Sequence, residues 1–312
     1  MKTILITGIG GDIAQSVAAI IREHRPQYRL IGTDLHDQHA GALFVSALHI
    51  VPPASSPGYL ARLQEIIVQE STDIVIPMTE PELAALLPQF SVPAKVRWIT
   101  SGMEVVATGI DKLETARRLV DLGLPVPWTI PVCEGYPKTY PCMLKNRFGS
   151  GSRNQHLVND AEEAKYLSAR NPGAIFQELL LPEDREVTCA VYRTRDSRVG
   201  VLQLLRRLAG GFTGWARVIE DPDITRMCIA IAEGLHLQGS MNVQLRQTEN
   251  GPRVFEINPR FSSTVLMRQK MGFSDVLWAL DEAGNAPVSI PHIASGTIGV
   301  RTQGAVIINP TT

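Results

Sequence analysis

The chain has 312 residues, more than one hydrophobic core usually serves, so two or three compact units are expected. With 44% hydrophobic residues and a formal net charge of −1, it carries no basic excess to recruit nucleic acid and no acidic tail. No apolar run approaches the roughly 20 residues needed to cross a bilayer, and Cys133, Cys142, Cys189 and Cys228 follow no metal-ligand or CxxC spacing. A cytoplasmic protein with reduced, mostly buried cysteines and no membrane partner is the expectation.

Residues 2–98 alternate strand and helix. The opening MKTILITGIGG reads as a first strand running into the tight turn Gly8-Ile9-Gly10-Gly11, because its apolar run is too short for a signal segment. Asp12 to about His24 has one apolar stripe, Ile13, Val17, Ile20 and Ile21, and is expected to be helical. A second strand ends at Asp34, a helix spans Tyr59 to Gln69, and Asp73–Pro77 reads as a buried strand. This βαβ alternation implies a parallel sheet. A glycine turn before a helix, with an acid at the end of the next strand, also suggests a dinucleotide site. The spacing opposes it, since Ile13 stands where the third glycine of GxGxxG would be. Met78-Thr79-Glu80-Pro81-Glu82 follows a strand end, where open α/β sheets bind ligands; Glu80 has two readings there, a ligand contact or a helix-start carboxylate.

Beyond Ser101 the pattern changes. Asp111-Lys112-Leu113-Glu114 opens a helix that Gly123 closes, and Leu124-Pro125-Val126-Pro127 gives an extended exit. A strand then brings Lys145 to Gly149-Ser150-Gly151-Ser152, whose backbone N–H groups could close over phosphates. It is no P-loop, because GK[ST] is missing, and a hairpin turn is the plain alternative. Arg206 to Trp215 is another glycine-rich stretch whose basic residues face either an anion or solvent. After Pro222-Asp223, Ile224 to about Leu235 is expected to be helical, with Met227, Ile231 and Leu235 buried; GTIGVRTQGAVIIN reads as terminal strands.

Two further strands concentrate the chemistry. Met241–Arg246 alternates strictly, with Asn242, Gln244 and Arg246 on one face. Arg253–Asn258 would turn Phe255 and Ile257 towards a core and Glu256 and Asn258 to the other face, until Pro259 ends it and Arg260 follows. A hairpin through Gln247–Pro252 brings Gln244 beside Glu256 and Asn258, an oxygen set suited to a hard cation, with a guanidinium next to it for phosphate.

GSMNVQL followed by FEINPRFSSTVLMRQKMGF resembles the metal-binding core of the ATP-grasp ligases, most closely their carbamoyl phosphate synthetase-like branch. DKLETARRLVDLGLPVPWT resembles the entry to the same fold. The resemblance implies an α/β Rossmann-like preATP-grasp domain over 1–98 and two α+β grasp subdomains, 99–178 and 179–312. It implies ATP as the nucleotide and Mg²⁺, with Mn²⁺ as an alternative, held by Gln244, Glu256 and Asn258. By the same resemblance Lys112, Lys145 and Gly149–Ser152 meet the phosphates, Gln177, Glu178 and Leu180 border the adenine, and Glu186 holds the ribose. Arg260, with Lys145 and Glu256, would act on the transferred phosphoryl group. The implied activity joins a small-molecule carboxylate to an amine, or less often a thiol, through an acyl phosphate with release of ADP. A homodimer is the default assembly.

This sequence departs from the family in three places. Asn146 follows the strand lysine where Pro is common, the linker before Glu186 is a residue or two longer, and Ser262-Ser263-Thr264 stand where the synthetases carry a second arginine. The synthetases' second half and glutaminase have no counterpart here, so carbamoyl phosphate synthesis by this chain alone is not expected. Bicarbonate phosphorylation and a non-catalytic Mg-ATP-binding module stay as rival readings, with acceptor specificity sought around Glu80, Arg217 and Arg268.

Overall fold

A computed structural model describes residues 2–87, 96–149 and 155–302. Its first unit runs β1 (Thr3–Ile6), α1 (Asp12–His24), β2 (Arg29–Asp34), β3 (Ala47–Ile50), α2 (Tyr59–Gln69), β4 (Ile74–Ile76), α3 (Glu80–Leu86) and β5 (Arg97–Trp98). The strands form a parallel sheet in the order β3-β2-β1-β4-β5. All of β1 is buried because helices cover both faces. Ile4 and Ile6 pack against Val17, Ile20 and Ile21 of α1, while Leu5 meets Leu63 and Ile66 of α2. The strand order reverses at β1, so the crevice beyond β1 and β4 is where such a sheet receives a ligand.

Two helices follow, α4 (Met103–Gly109) and α5 (Lys112–Asp121), the second capped by Asp111 through the backbone N–H of Leu113 and Glu114. Next come β6 (Thr129–Pro131), β7 (Cys142–Asn146), β8 (His156–Val158), α6 (Ala161–Arg170) and β9 (Ala174–Glu178). These strands pair antiparallel as β6-β9-β7-β8 around a small core of their own that includes Cys142, Leu144, Val158 and Phe176.

The third sheet is built from β10 (Glu186–Arg193), β11 (Val199–Ala209), β12 (Phe212–Ile219), β13 (Gly239–Thr248), β14 (Gly251–Asn258) and β15 (Ile298–Val300), with α7 (Pro222–Gly234), α8 (Val265–Met271) and α9 (Asp275–Ala283). Its order is β14-β13-β10-β11-β12-β15, antiparallel throughout. One face, with Val187, Cys189, Val243 and Ile257, packs on α7 and on Val105 and Leu119 of α4 and α5. A Cβ at Gly109 would stand 2.9 Å from the Ile257 carbonyl oxygen, so the end of α4 lies directly against β14.

The other face is divided. Ala190, Tyr192, Leu204 and Val218 join one continuous core with β1, α1 and α9, so the first and third units share their interior. Each such side chain, fully buried, contributes about 1.5–3 kcal/mol. Towards the other end of the same strands the inward positions become Glu186, Thr188, Gln244 and Glu256, which cross-strand pairing holds together. That polar end is the floor of a cleft. Among the described residues no helix is long and apolar enough to cross a membrane.

Candidate active site

The cleft encloses about 630 Å³ between the four-stranded and six-stranded sheets. Lys145 enters from the first, Lys112 from the start of α5, and Glu186, Arg206, Gln244 and Glu256 from the second. Residues 177–186 cross between the sheets and form its back wall.

On the floor, β13 and β14 are in register, with Asn242 opposite Asn258 and Gln244 opposite Glu256. Residues directly opposite on an antiparallel pair share a face, so the three expected metal ligands are neighbours. Asn258 is 5% exposed and its Nδ2 has no hydrogen-bond partner. Burial pushes the Glu256 carboxyl above its ordinary range; Lys112, Lys145 and Arg206 pull it down and Glu80 pushes it up. A carboxylate made costly by burial, beside two amide side chains, is a donor set that fits Mg²⁺ or Mn²⁺.

One expectation on this strand is corrected. Phe255 does not point to the core with Ile257. The register slips by one residue between Gln244 and Leu245, so Val254 pairs with Leu245 and fills the core position, while Phe255 turns into the cleft. There the Lys145 ammonium lies 5.3 Å from its ring centre.

Lys145, on β7, donates to Gln177 Oε1 at 2.7 Å. Its pKa is lowered to about 8, chiefly by burial, with Glu256 opposing and Lys112 adding to the fall. Gln177 is itself 2% exposed and donates to Thr129 Oγ1, so its side chain aims the lysine. Glu178, which also lines the cleft, accepts from Trp128 N and from Arg253 at 3.2 Å each. Buried Leu180 offers its carbonyl to Arg246. Lys112 opens α5, and its ammonium contacts the carbonyl of Gly149, whose φ is +95°. Arg147 grips Asp111 with both Nε and Nη2. Burial would raise the Asp111 carboxyl, but that guanidinium and the helix N–H groups hold it below its ordinary range. Ser150, Gly151 and Ser152 lie outside the described residues.

Glu186 sits between two guanidinium groups. Arg206 Nε donates to Oε1 at 2.9 Å and Arg246 Nη2 to Oε2 at 2.7 Å. Sequence reasoning missed both arginines as partners of this acid. The strict alternation of Asn242, Gln244 and Arg246 is a signal for Arg246; Arg206 has none, since Arg206 to Trp215, which spans the end of β11 and the start of β12, reads as one glycine-rich stretch.

At the strand's exit, Arg260 donates to Glu80 Oε1 at 3.1 Å and to the Phe261 carbonyl. Glu82, not Glu80, completes the capping box with Thr79, and it also accepts from Thr7 and Tyr59. Glu80 is therefore outside the capping box and takes Arg260 as its partner. Asp34 accepts from Gly10 N at 2.6 Å and Leu35 N at 2.7 Å, so this acid serves to fix the glycine turn. Arg268 is wholly buried rather than at a pocket lip, and Arg217 lies exposed on the outer face of β12.

Residues 180–302 match the family described as ATP-grasp in the biosynthetic pathway with Ter operon. No curated protein matches the sequence. Among solved structures, an ADP complex of N5-carboxyaminoimidazole ribonucleotide synthetase superposes with a TM-score of 0.78 at 18% identity, over 96% of this chain and 81% of that one. Biotin carboxylase from Campylobacter jejuni gives 0.72 at 16%, over 95% and 74%. L-Amino acid ligase from Bacillus licheniformis gives 0.71 at 16%, over 91% and 74%. The chain has the ATP-grasp fold.

Proposed function

Starting from the ATP-grasp fold, we propose that the protein is an ADP-forming ligase that activates a small-molecule carboxylate as an acyl phosphate and couples it to an amine or thiol. The observation that supports this best is the juxtaposition of Gln244, Glu256 and Asn258 on one cleft floor, facing Lys145, with Arg260 at the exit. Mg²⁺, when bound there, supplies charge that neutralises β- and γ-phosphate oxygens.

The chain's own residues do the rest by position and charge. Lys112 and Lys145 set cations along the phosphates, and Glu186 presents oxygens to the ribose. A carboxylate oxygen of the acceptor attacks the γ-phosphorus, the bond to the β-phosphate oxygen breaks, and ADP leaves. Arg260 balances the charge of the acyl phosphate. The amine nitrogen then bonds to the acyl carbon, and phosphate departs with the electron pair and the nitrogen's surplus proton. Exclusion of water by the closed cleft keeps the acyl phosphate from hydrolysis. The crevice beyond β1 and β4, bounded by Glu80 and Arg260, receives the acceptor.

ADP release from Mg-ATP is to be measured against a matrix of carboxylates and amines, bicarbonate and ammonia included, with AMP scored in parallel. ADP that requires one particular pair is the expected result, and AMP overturns the mechanism. Glu256→Ala and Arg260→Ala should each lose ADP formation while keeping the fold, as read by circular dichroism; wild-type turnover in either rules out the assignment.

A further inference from the structure

Arg206 is an arginine in surplus. Glu186 offers one negative charge, and two guanidinium groups hold it: Arg246 on Oε2 and Arg206 on Oε1. Arg246 is anchored besides, through Nη1, on the Leu180 carbonyl at 2.7 Å. Arg206 has only neutral oxygens elsewhere: Nη2 donates to Gln244 Oε1 at 2.9 Å and Nη1 reaches Thr213 Oγ1 at 3.4 Å. Its side chain is 9% exposed, so the extra cation sits almost dehydrated on the cleft floor. A dehydrated, unbalanced guanidinium is costly unless an anion completes it.

Gln244 Oε1 is at once this arginine's acceptor and one of the oxygens read above as a metal ligand. A divalent cation on that oxygen would stand a few ångströms from the guanidinium, and like charges at that range in a half-dry cleft repel strongly. The two cations therefore compete for Gln244, each weakening the other's hold on it.

We propose that Arg206 is a further phosphate-binding residue of the cleft, held in reserve on Glu186 and Gln244, and that it gives up Gln244 to the metal as it turns to the nucleotide's phosphates. Glu186 stays charge-balanced through Arg246 during the exchange, so the move leaves no bare carboxylate. Nucleotide and metal then help one another to bind: the phosphates draw Arg206 off Gln244, and the metal takes the oxygen it leaves. The inference rests on the nucleotide and metal reading of the cleft.

The test uses the full chain and two binding readouts without turnover. Mn²⁺ alone is titrated by electron paramagnetic resonance, and a non-hydrolysable ATP analogue with Mg²⁺ by calorimetry. Arg206→Gln should bind Mn²⁺ alone about tenfold more tightly than wild type and the analogue about tenfold more weakly. Arg206→Lys, which keeps the charge without the fork, should fall between them in both titrations and covers the case in which Arg206→Gln folds poorly. Unchanged or weaker Mn²⁺ binding in Arg206→Gln, or undiminished analogue binding, overturns the proposal. Gln244→Ala and Glu256→Gln run beside it: Mn²⁺ affinity indifferent to both would overturn the reading of the cleft itself, whatever Arg206 does.

Discussion

Arg260 and Glu80 stand 180 positions apart in sequence and 3.1 Å apart in space, their side chains 11% and 9% exposed. The pair ties Arg260, two residues beyond the end of β14, to the first turn of α3, and so joins the third unit to the first. Removing one partner of a largely buried pair leaves the other charge uncompensated. Glu80→Gln should therefore cost about 1–3 kcal/mol of stability, seen as a lower midpoint in calorimetry. It should also slow ADP formation about tenfold, because Arg260 loses its aim. A midpoint equal to wild type would show that the pair contributes nothing.

Lys145 would make the proposed nucleotide site sensitive to alkali. Its folded pKa of about 8 lies below the ordinary 10.5, so the folded chain releases this proton first. The penalty of holding the charged amine is present in full below pH 8 and is relieved as pH rises towards 10.5. Phosphates need the charged form, so their binding moves the opposite way. Mg-ATP affinity, followed by calorimetry from pH 7 to pH 9.5, should fall above pH 8 by up to about tenfold per unit. Lys145→Arg, charged throughout, should remove that slope; the same slope in the variant would assign it to another group.

Arg268 and Asp275 form a wholly buried pair, 0% and 1% exposed, with Arg268 Nε donating to Oδ1 at 3.0 Å and Ser240 Oγ to Oδ2 at 2.6 Å. Arg268 also donates to Ser262 Oγ at 2.7 Å, beneath the loop that begins at Pro259. Asp275→Asn should cost about 3–5 kcal/mol in chemical denaturation, since it strands a buried guanidinium. The double change Arg268→Met with Asp275→Leu should recover most of that loss. Failure of the double variant to exceed the single one would mean that the loop depends on the Ser262 hydrogen bond instead.

Local signals made part of this architecture legible. The apolar stripe of α1 and the run of β1 gave their ends within a residue, since one-face and two-face burial leave different periods. Gln244, Glu256 and Asn258 could be placed together because strand alternation and a turn-rich gap imply a hairpin. Phe255 could not: a one-residue slip in register leaves no mark in hydrophobic pattern. Arg268 reads as an ordinary helical arginine until the fold supplies Asp275 from the next helix. The double hold on Glu186 was equally hidden, because Arg206 and Arg246 reach it from different strands.

The four-stranded unit keeps its own small interior, whereas the first and third units share theirs. A body with a private interior can shift as a unit, but the Arg147–Asp111 and Arg253–Glu178 pairs also cross its boundary, so closing the cleft would re-aim those pairs as well as bend the chain at 122–128 and 179–185. Lys145 rides on that swinging jaw, and Glu256 stays with the anvil. The distance between these two side chains is thus the natural gauge of how far the cleft has shut.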